Sequence, residues 1–267
     1  MAFDRGVLTG RLALLWVFVR REVAEQFAGS VLGRVWAVAQ PVFTVLMYWW
    51  VFGLVWAVRL PPDEGGAEQS FIVFLLSALL PWLAFQEALN RGAGAVLARG
   101  DVLRHAKFPA AVFPLARCLA AHLVFLPVLL VFFLSSGQEG VIGRLSLLPA
   151  WGAWFALQVV FASGLALLFA ALAAYVRDLP PALGVGLPVL MFTAPVLFPL
   201  AKMPDSVRPW VWLNPFTPFA EGYHSLVLAG GAPEGLLWLY AAALALGAVL
   251  FGGWVFERLS AGFADVL

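Results

Sequence analysis

The sequence has 267 residues, of which 63% are hydrophobic and 12% are charged, and its net charge is +1. Soluble domains are about half apolar and about a quarter charged, because polar side chains must cover their surface. The composition therefore excludes a soluble domain and predicts an all-α integral membrane protein. The small net charge provides no field that would attract nucleic acid, and a single cysteine, Cys118, excludes an internal disulfide.

The N-terminal segment, residues 1–34, is predicted to be cytoplasmic and to contain an amphipathic helix. The apolar residues that recur at helical spacing are Leu12, Leu15, Trp16, Val19, Val23 and Phe27. The polar residues predicted on the opposite face are Arg20, Arg21, Glu22, Glu25 and Gln26. A helix of this kind lies in the membrane interface, where tryptophan is also enriched.

Long apolar stretches predict six transmembrane helices, and only the second and third contain a charge, Glu87 and Arg117. About 20 apolar residues are needed to cross a hydrocarbon core of about 30 Å. The six-helix transmembrane domain, residues 35–256, has predicted spans at 35–58, 69–90, 109–135, 147–176, 179–201 and 235–256, and residues 257–267 form a cytoplasmic tail. The fourth and fifth spans are separated by Arg177, Asp178 and two prolines, because charge followed by proline ends a helix.

The distribution of lysine and arginine predicts that both termini are cytoplasmic. With the N-terminus inside, eleven of these residues lie in inner segments, and Arg59, Arg144, Lys202 and Arg208 lie in outer segments. Such an excess marks the cytoplasmic side. Arg117 falls inside the third span, where it either snorkels to the inner headgroups or is a functional intramembrane charge.

The outer segment, residues 202–234, is rich in aromatic residues and proline. Its aromatic residues include Trp210, Trp212, Phe216, Phe219 and Tyr223. A free loop would be more polar, so the pattern predicts short helices that dip into the outer leaflet. Backbone at that depth has to be shielded by neighbouring helices.

Catalytic and nucleotide-binding motifs are absent from the sequence. It lacks the glycine-rich loop that cradles phosphates and the H-E-x-x-H zinc motif. No series of intramembrane acids is present to relay ions, which argues against an ion-coupled carrier. A membrane enzyme such as a glycosyltransferase or protease would need carboxylates or a nucleophile converging at one depth, and no such set is found.

The cytoplasmic loop at residues 90–108 mixes apolar and charged residues. Its charged and titratable members include Arg99, Asp101, Arg104, His105 and Lys107. The pattern fits a short amphipathic helix that docks into a groove of a soluble partner. A solvated basic loop that orients the protein in the membrane is the alternative.

Six motifs occur in order along the chain: FAGSVLGRVW at 27–36, LPW at 80–82, KFP at 107–109, RDL at 177–179, NPFTP at 214–218 and FADVL at 263–267. Together they resemble the transmembrane permease subunit of type-2 ABC exporters, in the branch that exports O-antigen, teichoic acid or capsule chains. The resemblance implies that the chain is a transport subunit without enzymatic activity or cofactor of its own. Two copies would form the pore, and two soluble ABC ATPase subunits would bind ATP and magnesium.

The resemblance also implies roles for particular segments. The N-terminal helix and the loop at 90–108 would carry ATPase motion into the membrane. The residues expected at this coupling surface are Glu22, Arg99, Asp101, Arg104, His105 and Lys107. The outer segment would be a pair of re-entrant helices that close the exit.

The implied substrate is a lipid-linked polysaccharide such as O-antigen, moved across the cytoplasmic (inner) membrane. Teichoic acid, capsule, or a small lipid or drug remain alternatives. Arg20, Arg21 and Arg34 are candidates to bind the carrier pyrophosphate, or they only anchor the inner side. The aromatic candidates that would line the pore and contact sugars, or form a lipid-facing belt, are Tyr48, Trp49, Trp50, Phe52, Phe192 and Phe198.

Overall fold

The computed structural model describes residues 5–26, 35–55, 71–105, 108–136 and 140–267, and these residues form helices and turns without a strand. The α-helices in this part of the chain are α1 Arg5–Glu25, α2 Val35–Tyr48, α3 Phe71–Ala93, α4 Gly100–His105, α5 Val112–Ser135, α6 Gly140–Tyr175, α7 Leu179–Thr193, α8 Arg208–Val211, α9 Thr217–Val227, α10 Gly235–Ser260 and α11 Phe263–Val266. A π-helix, Trp49–Val55, continues α2, and 3-10 turns lie at Leu97–Arg99 and Leu200–Lys202.

Four of the described helices, α3, α5, α6 and α10, are long and apolar enough to cross a membrane. Two further apolar helices, the end of α2 with its π-helix and α7, are shorter. The 36 residues of α6 span about 54 Å at about 1.5 Å per residue, so this helix extends well beyond a hydrocarbon core. The predicted span begins near 147 because Arg144 interrupts the apolar run. The helix itself begins at Gly140, and Arg144 is buried within it.

The fifth predicted span, 179–201, is a helix only as far as Thr193. Ala194 adopts an extended conformation, with φ of −92° and ψ of 157°. The next residue is Pro195, and the ring of a proline disfavours helical geometry in the residue before it. At the other end, α6 stops at Tyr175 and α7 starts at Leu179, so the turn with Arg177 and Asp178 lies between the two helices.

Helix α3 lies at the centre of the bundle, where it contacts α5, α6, α7 and α9. Its middle carries Trp82 and Phe85, which are almost fully buried. The Phe216 ring, just before α9, packs edge-on against Trp82, with ring centroids 4.8 Å apart. Phe85 stacks on Phe161 of α6 at 5.6 Å. An aromatic core therefore joins α3, α6 and the start of α9 at the level of the middle of α3.

Among the described helices, α6 and α10 form the most extensive pair, and two glycines allow their close approach. A Cβ placed on Gly252 of α10 would lie 2.1 Å from the backbone oxygen of Gly164 on α6. A Cβ on Gly164 would lie 2.3 Å from the backbone of Ala248. Small residues at such crossings bring helix backbones together, and packing of this kind drives helix association in membranes.

We expect Gly252→Ala to lower the stability of the purified protein, although alanine is the better helix former. The added methyl group overlaps the α6 backbone, and overpacking of this kind costs about 1–3 kcal/mol. Gly247→Ala is the matched control, because nothing lies within 4 Å of its added Cβ. Thermal unfolding in detergent should show a lower midpoint for Gly252→Ala only. Equal midpoints for the two variants would contradict the close approach.

Candidate functional site

Glu22 lies at the centre of an ion cluster formed by three arginines from other elements, which we call the Glu22 cluster. Its carboxylate is 3.3 Å from Nε of Arg117 on α5 and 3.6 Å from Nη2 of Arg91 on α3. It is also 3.6 Å from Nη2 of Arg99, in the turn before α4. Glu22 is buried, and each arginine side chain is about one-fifth exposed. The cluster therefore joins α1, α3, α5 and the loop that carries α4.

Glu22 lies on the packed face of α1, which corrects its assignment to the polar face. Val19, one turn earlier, is buried against Ala116 and Ala120 of α5. Residues three positions apart share a face of a helix, so the contact of Val19 with α5 also turns Glu22 inward. Trp16 and Leu12 remain exposed on the other side of α1, where lipid can cover them.

Arg117, the charge predicted inside the third span, directs its guanidinium to Glu22. Its Nη1 donates a hydrogen bond to the backbone oxygen of Arg91 at 3.4 Å. A second acid lies at the margin, since Arg99 donates to Glu25 at 2.9 Å. The hydrogen bond from Arg21 lowers the pKa of the Glu25 carboxyl. Glu25 therefore stays ionised beside the cluster.

Of the other predicted coupling residues, Asp101 lies exposed in the first turn of α4. Arg104 and His105 lie in the last turn of the same helix, and Lys107 lies outside the described residues. The C-terminal residues pack beside α4. The Leu267 side chain lies against Gly100, and Phe263 is buried next to Phe256 with ring centroids 5.4 Å apart. α4 is thus supported by the end of the chain as well as by its own loop.

Buried polar side chains connect α3, α5 and α6 inside the bundle. His122 Nδ1 lies 2.9 Å from the backbone oxygen of Cys118, and only a protonated Nδ1 can donate to it. The other ring nitrogen, Nε2, is then an acceptor, 3.5 Å from Nε2 of Gln158. The Gln158 amide also donates to the backbone oxygen of Pro81 at 3.0 Å. Among the described residues, no group of His, Cys, Asp and Glu could hold a metal ion.

The outer segment is fixed to the bundle through Asn214. Its side-chain amide donates to the backbone oxygen of Leu190 at 2.7 Å and to Oγ1 of Thr193 at 2.9 Å, both on α7. Its side-chain oxygen accepts from the backbone N–H of Phe216 at 2.9 Å. Thr217 donates to the backbone oxygen of Val211 at 2.6 Å. The NPFTP motif therefore ties the end of α7 to the start of α9.

The far end of α9 is held by Arg144, which the charge distribution predicted only to lie in an outer segment. Arg144 is buried, donates hydrogen bonds to the backbone oxygens of Leu226 and Val227, and lies over the Phe133 ring. The last carbonyls of a helix have no partner within it, and a cation there also complements the helix dipole. The signal in the sequence was a lone arginine inside an otherwise apolar stretch.

The six aromatic candidates divide into two groups. Tyr48 and Phe52 are half-buried and stack on each other with ring centroids 6.0 Å apart, and Phe52 also contacts Phe71. The exposed candidates are Trp49, Trp50, Phe192 and Phe198. The structure therefore leaves four of the six available to a pore, a partner or lipid.

The arginine candidates for the carrier pyrophosphate are not brought together in the described part of the chain. Arg20 is exposed, and Arg21 is paired with Glu25 at 2.5 Å. Arg34 lies outside the described residues. The arginines that do converge are those of the Glu22 cluster.

Comparison with known families decides the class of the protein. Residues 13–228 match the family model for ABC-2 type transporters, and this range includes the Glu22 cluster and the Asn214 contacts. The chain belongs to the ABC-2 type transporter family. The matched range begins within α1 and ends just after α9, so the Arg144 contacts at the far end of α9 also lie within this ABC-2 region.

Relatives of this ABC-2 chain are similar over almost their full length. It is 26% identical over 260 residues to an O-antigen export system permease protein, RfbA, of Klebsiella pneumoniae, with 95% of each chain covered. It is 27% identical to the O-antigen export system permease protein RfbA of Myxococcus xanthus, with 94% of each covered. The polysialic acid transport protein KpsM of Escherichia coli is 25% identical, with 87% of this chain and 88% of KpsM covered.

We expect Glu22→Gln to destabilise the protein by about 3–5 kcal/mol, because removing one partner of a buried ion pair leaves uncompensated charge. Glu25→Gln should cost less than about 1 kcal/mol, because the carboxylate of Glu25 is on the surface. Its side chain is 42% exposed, against 7% for Glu22.

Thermal unfolding of the two purified variants would measure the difference. A loss of stability in Glu25→Gln as large as that in Glu22→Gln would show that burial of the carboxylate is not what makes the cluster important.

Proposed function

We propose that this chain is the pore-forming permease subunit of an ATP-driven exporter that moves a lipid-linked polysaccharide across the cytoplasmic membrane. The observation that carries the proposal is the match to O-antigen export permeases over 94–95% of both chains. The apolar helices fit a membrane pore subunit. The similarity to a polysialic acid transport protein supports the polysaccharide class, within which teichoic acid and capsule remain alternative substrates.

Energy would come from a separate subunit. The sequence has no phosphate-cradling loop, so we infer that two soluble ABC ATPase subunits bind beneath the membrane and hydrolyse ATP with magnesium. The chain itself would be a transport subunit with no cofactor and no enzymatic activity.

The Glu22 cluster supports a mechanism for coupling. An ATPase that pushes on α4 also displaces Arg99, which is ion-paired with Glu22 of α1. Glu22 in turn contacts Arg117 of α5 and Arg91 of α3. A local push on one short helix is therefore passed to three others through charged contacts. Asp101, Arg104, His105 and Lys107 would form the surface on which the ATPase acts.

A second copy would complete the pore. Of the residues of α7, only Leu187 is buried, while Val185 and Val189 expose more than half of their surface. Helix α2 exposes Phe43 and Met47 in the same way. We infer that two copies meet through α2 and α7 as a homodimer. These two shorter apolar helices would then complete the count of six spans.

The outer segment would be re-entrant. Phe216 contacts Trp82 and Phe85 in the middle of α3, whereas His224, farther along α9, stacks on Phe74 near the start of α3. The chain thus descends to about the middle of α3 and returns along it. Backbone N–H and C=O groups at that depth need hydrogen-bond partners within the protein. The hydrogen bonds made by Asn214 to Leu190 and Phe216 fit this requirement.

The substrate would slide along aromatic side chains. Sugar rings have apolar C–H faces that stack on aromatic rings without selecting one linkage, so a polymer can move. The exposed residues Trp49, Trp50, Phe192 and Phe198 are better placed for this than Tyr48 and Phe52. Arg20, Arg21 and Arg34 remain candidates for the carrier pyrophosphate at the inner surface.

Export and ATP hydrolysis test this proposal together. We expect the purified chain to hydrolyse no ATP alone, and hydrolysis to appear only when an ABC ATPase subunit is co-purified. Deletion of the gene should abolish surface polysaccharide, with lipid-linked glycan accumulating inside. The matched control is the deletion strain complemented with the wild-type gene. ATP hydrolysis by the chain alone, or unchanged surface polysaccharide in the deletion strain, would overturn the proposal.

The orientation can be tested by cysteine labelling, because the native Cys118 is buried. We expect a membrane-impermeant maleimide to label Asp205→Cys in intact cells. Asp101→Cys should react only after the membrane is permeabilised. Both positions are exposed, so accessibility reports the side of the membrane. The reverse pattern would place both termini outside.

A further inference from the structure

A groove of about 830 Å³ lies between Trp212, helix α9 and the first turns of α10. No residue of the Glu22 cluster or of the aromatic pore candidates lines it. Its volume falls within the range of about 300–1,000 Å³ that is typical of small-molecule sites. The groove therefore has room for several sugar rings.

Two aromatic rings and two carboxylates converge in this groove. Trp212 and Tyr240 have ring centroids 6.2 Å apart, and the Tyr240 hydroxyl donates to the backbone oxygen of Trp212 at 2.8 Å. This bond fixes the tyrosine in place. The carboxylates belong to Glu221 on α9 and Glu234 before α10.

The two carboxylates differ in their surroundings. Glu221 lies 3.6 Å from Nδ1 of His224. Glu234 is exposed, and its side chain does not cap α10. Within the described part of the chain no hydrogen bond or ion pair engages the Glu234 carboxylate, so it can accept hydrogen bonds from a ligand.

We propose that this groove binds sugar residues of the glycan, outside the pore of the proposed exporter. The inference rests on the proposed function. Carboxylates accept strong hydrogen bonds from hydroxyl groups, and the rings of Trp212 and Tyr240 can stack on the apolar faces of sugars. The three leucines that α10 contributes make the remainder of the wall apolar.

A lipid fits this lining less well than a sugar. An acyl chain in the groove would place two carboxylates in hydrocarbon, and burying such charges is costly. An anionic headgroup would be repelled by Glu221 and Glu234. The groove therefore favours a ligand that has both hydroxyl groups and apolar faces.

Photo-crosslinking in cells that assemble the full exporter tests the proposal. Benzoylphenylalanine replaces Leu239, which lines the groove and is 68% exposed, or Leu250, which does not line it and is 62% exposed on the same helix. A third position, Trp50, probes the proposed pore. We expect carbohydrate-positive adducts, detected by periodate staining, from position 239 and not from position 250.

Two outcomes separate the groove from the proposed function. Glycan adducts at position 50 with only lipid adducts at position 239 overturn the groove and leave the exporter intact. No glycan at any position, together with unchanged surface polysaccharide in the gene deletion, overturns both.

The variant Trp212→Ala provides an independent measurement. It should lower the yield of glycan adducts at position 239 about tenfold, which corresponds to about 1.4 kcal/mol of lost binding. The hydrogen bond from Tyr240 is retained, because it uses the backbone oxygen of residue 212. Trp210→Ala is the matched control, since Trp210 is exposed and does not line the groove. Equal yields from the two variants overturn the proposal.

Discussion

The burial of one carboxylate, Glu22, among three arginines is the interaction on which the end of the bundle beside α4 depends. A buried charge is tolerated only when partners surround it, so Glu22 requires Arg91, Arg99 and Arg117 to be near one another. Each arginine comes from a different element, and α1 must lie against α5 to supply the acid. The same contacts fix α1 on α5, the end of α3 beside α1, and the turn before α4. Without the carboxylate, the three arginines would repel one another at this point.

The end of the bundle that carries α9 depends on a different constraint, the need of buried backbone groups for hydrogen-bond partners. Asn214 supplies both a donor and an acceptor at the point where the segment before α9 turns back. At the other end of α9, Arg144 takes up carbonyl groups that the helix leaves unpaired. Both ends of α9 are thus held by single polar side chains against an apolar bundle.

The sequence predicts the all-helical class, the break at Arg177 and Asp178, and an aromatic outer segment that contacts the bundle. It does not predict which face of α1 is packed, because periodicity assigns a charged residue to solvent. Glu22 can be inward only because arginines distant in sequence meet it in the fold. Arg144 was missed for the same reason, since its acceptors lie 82 and 83 residues away. The end of α7 at Thr193 was predictable, because the effect of Pro195 on Ala194 is local. The predicted span extended to residue 201 because a proline does not interrupt an apolar stretch.

The distribution of contacts indicates where a conformational change can occur. Helices α3, α5 and α6 are joined by the His122–Gln158–Pro81 hydrogen bonds and by the aromatic core, so they should move as one body. α2 and α7 make far fewer contacts with that body and expose most of their apolar surface. Helices with few packing contacts move relative to their neighbours more readily than helices within a packed core do. α7 is nevertheless tied to the outer segment through Asn214, so any displacement of α7 would also move the start of α9. In the proposed exporter, such a displacement would open the pore and its exit together, while the central helices keep their packing.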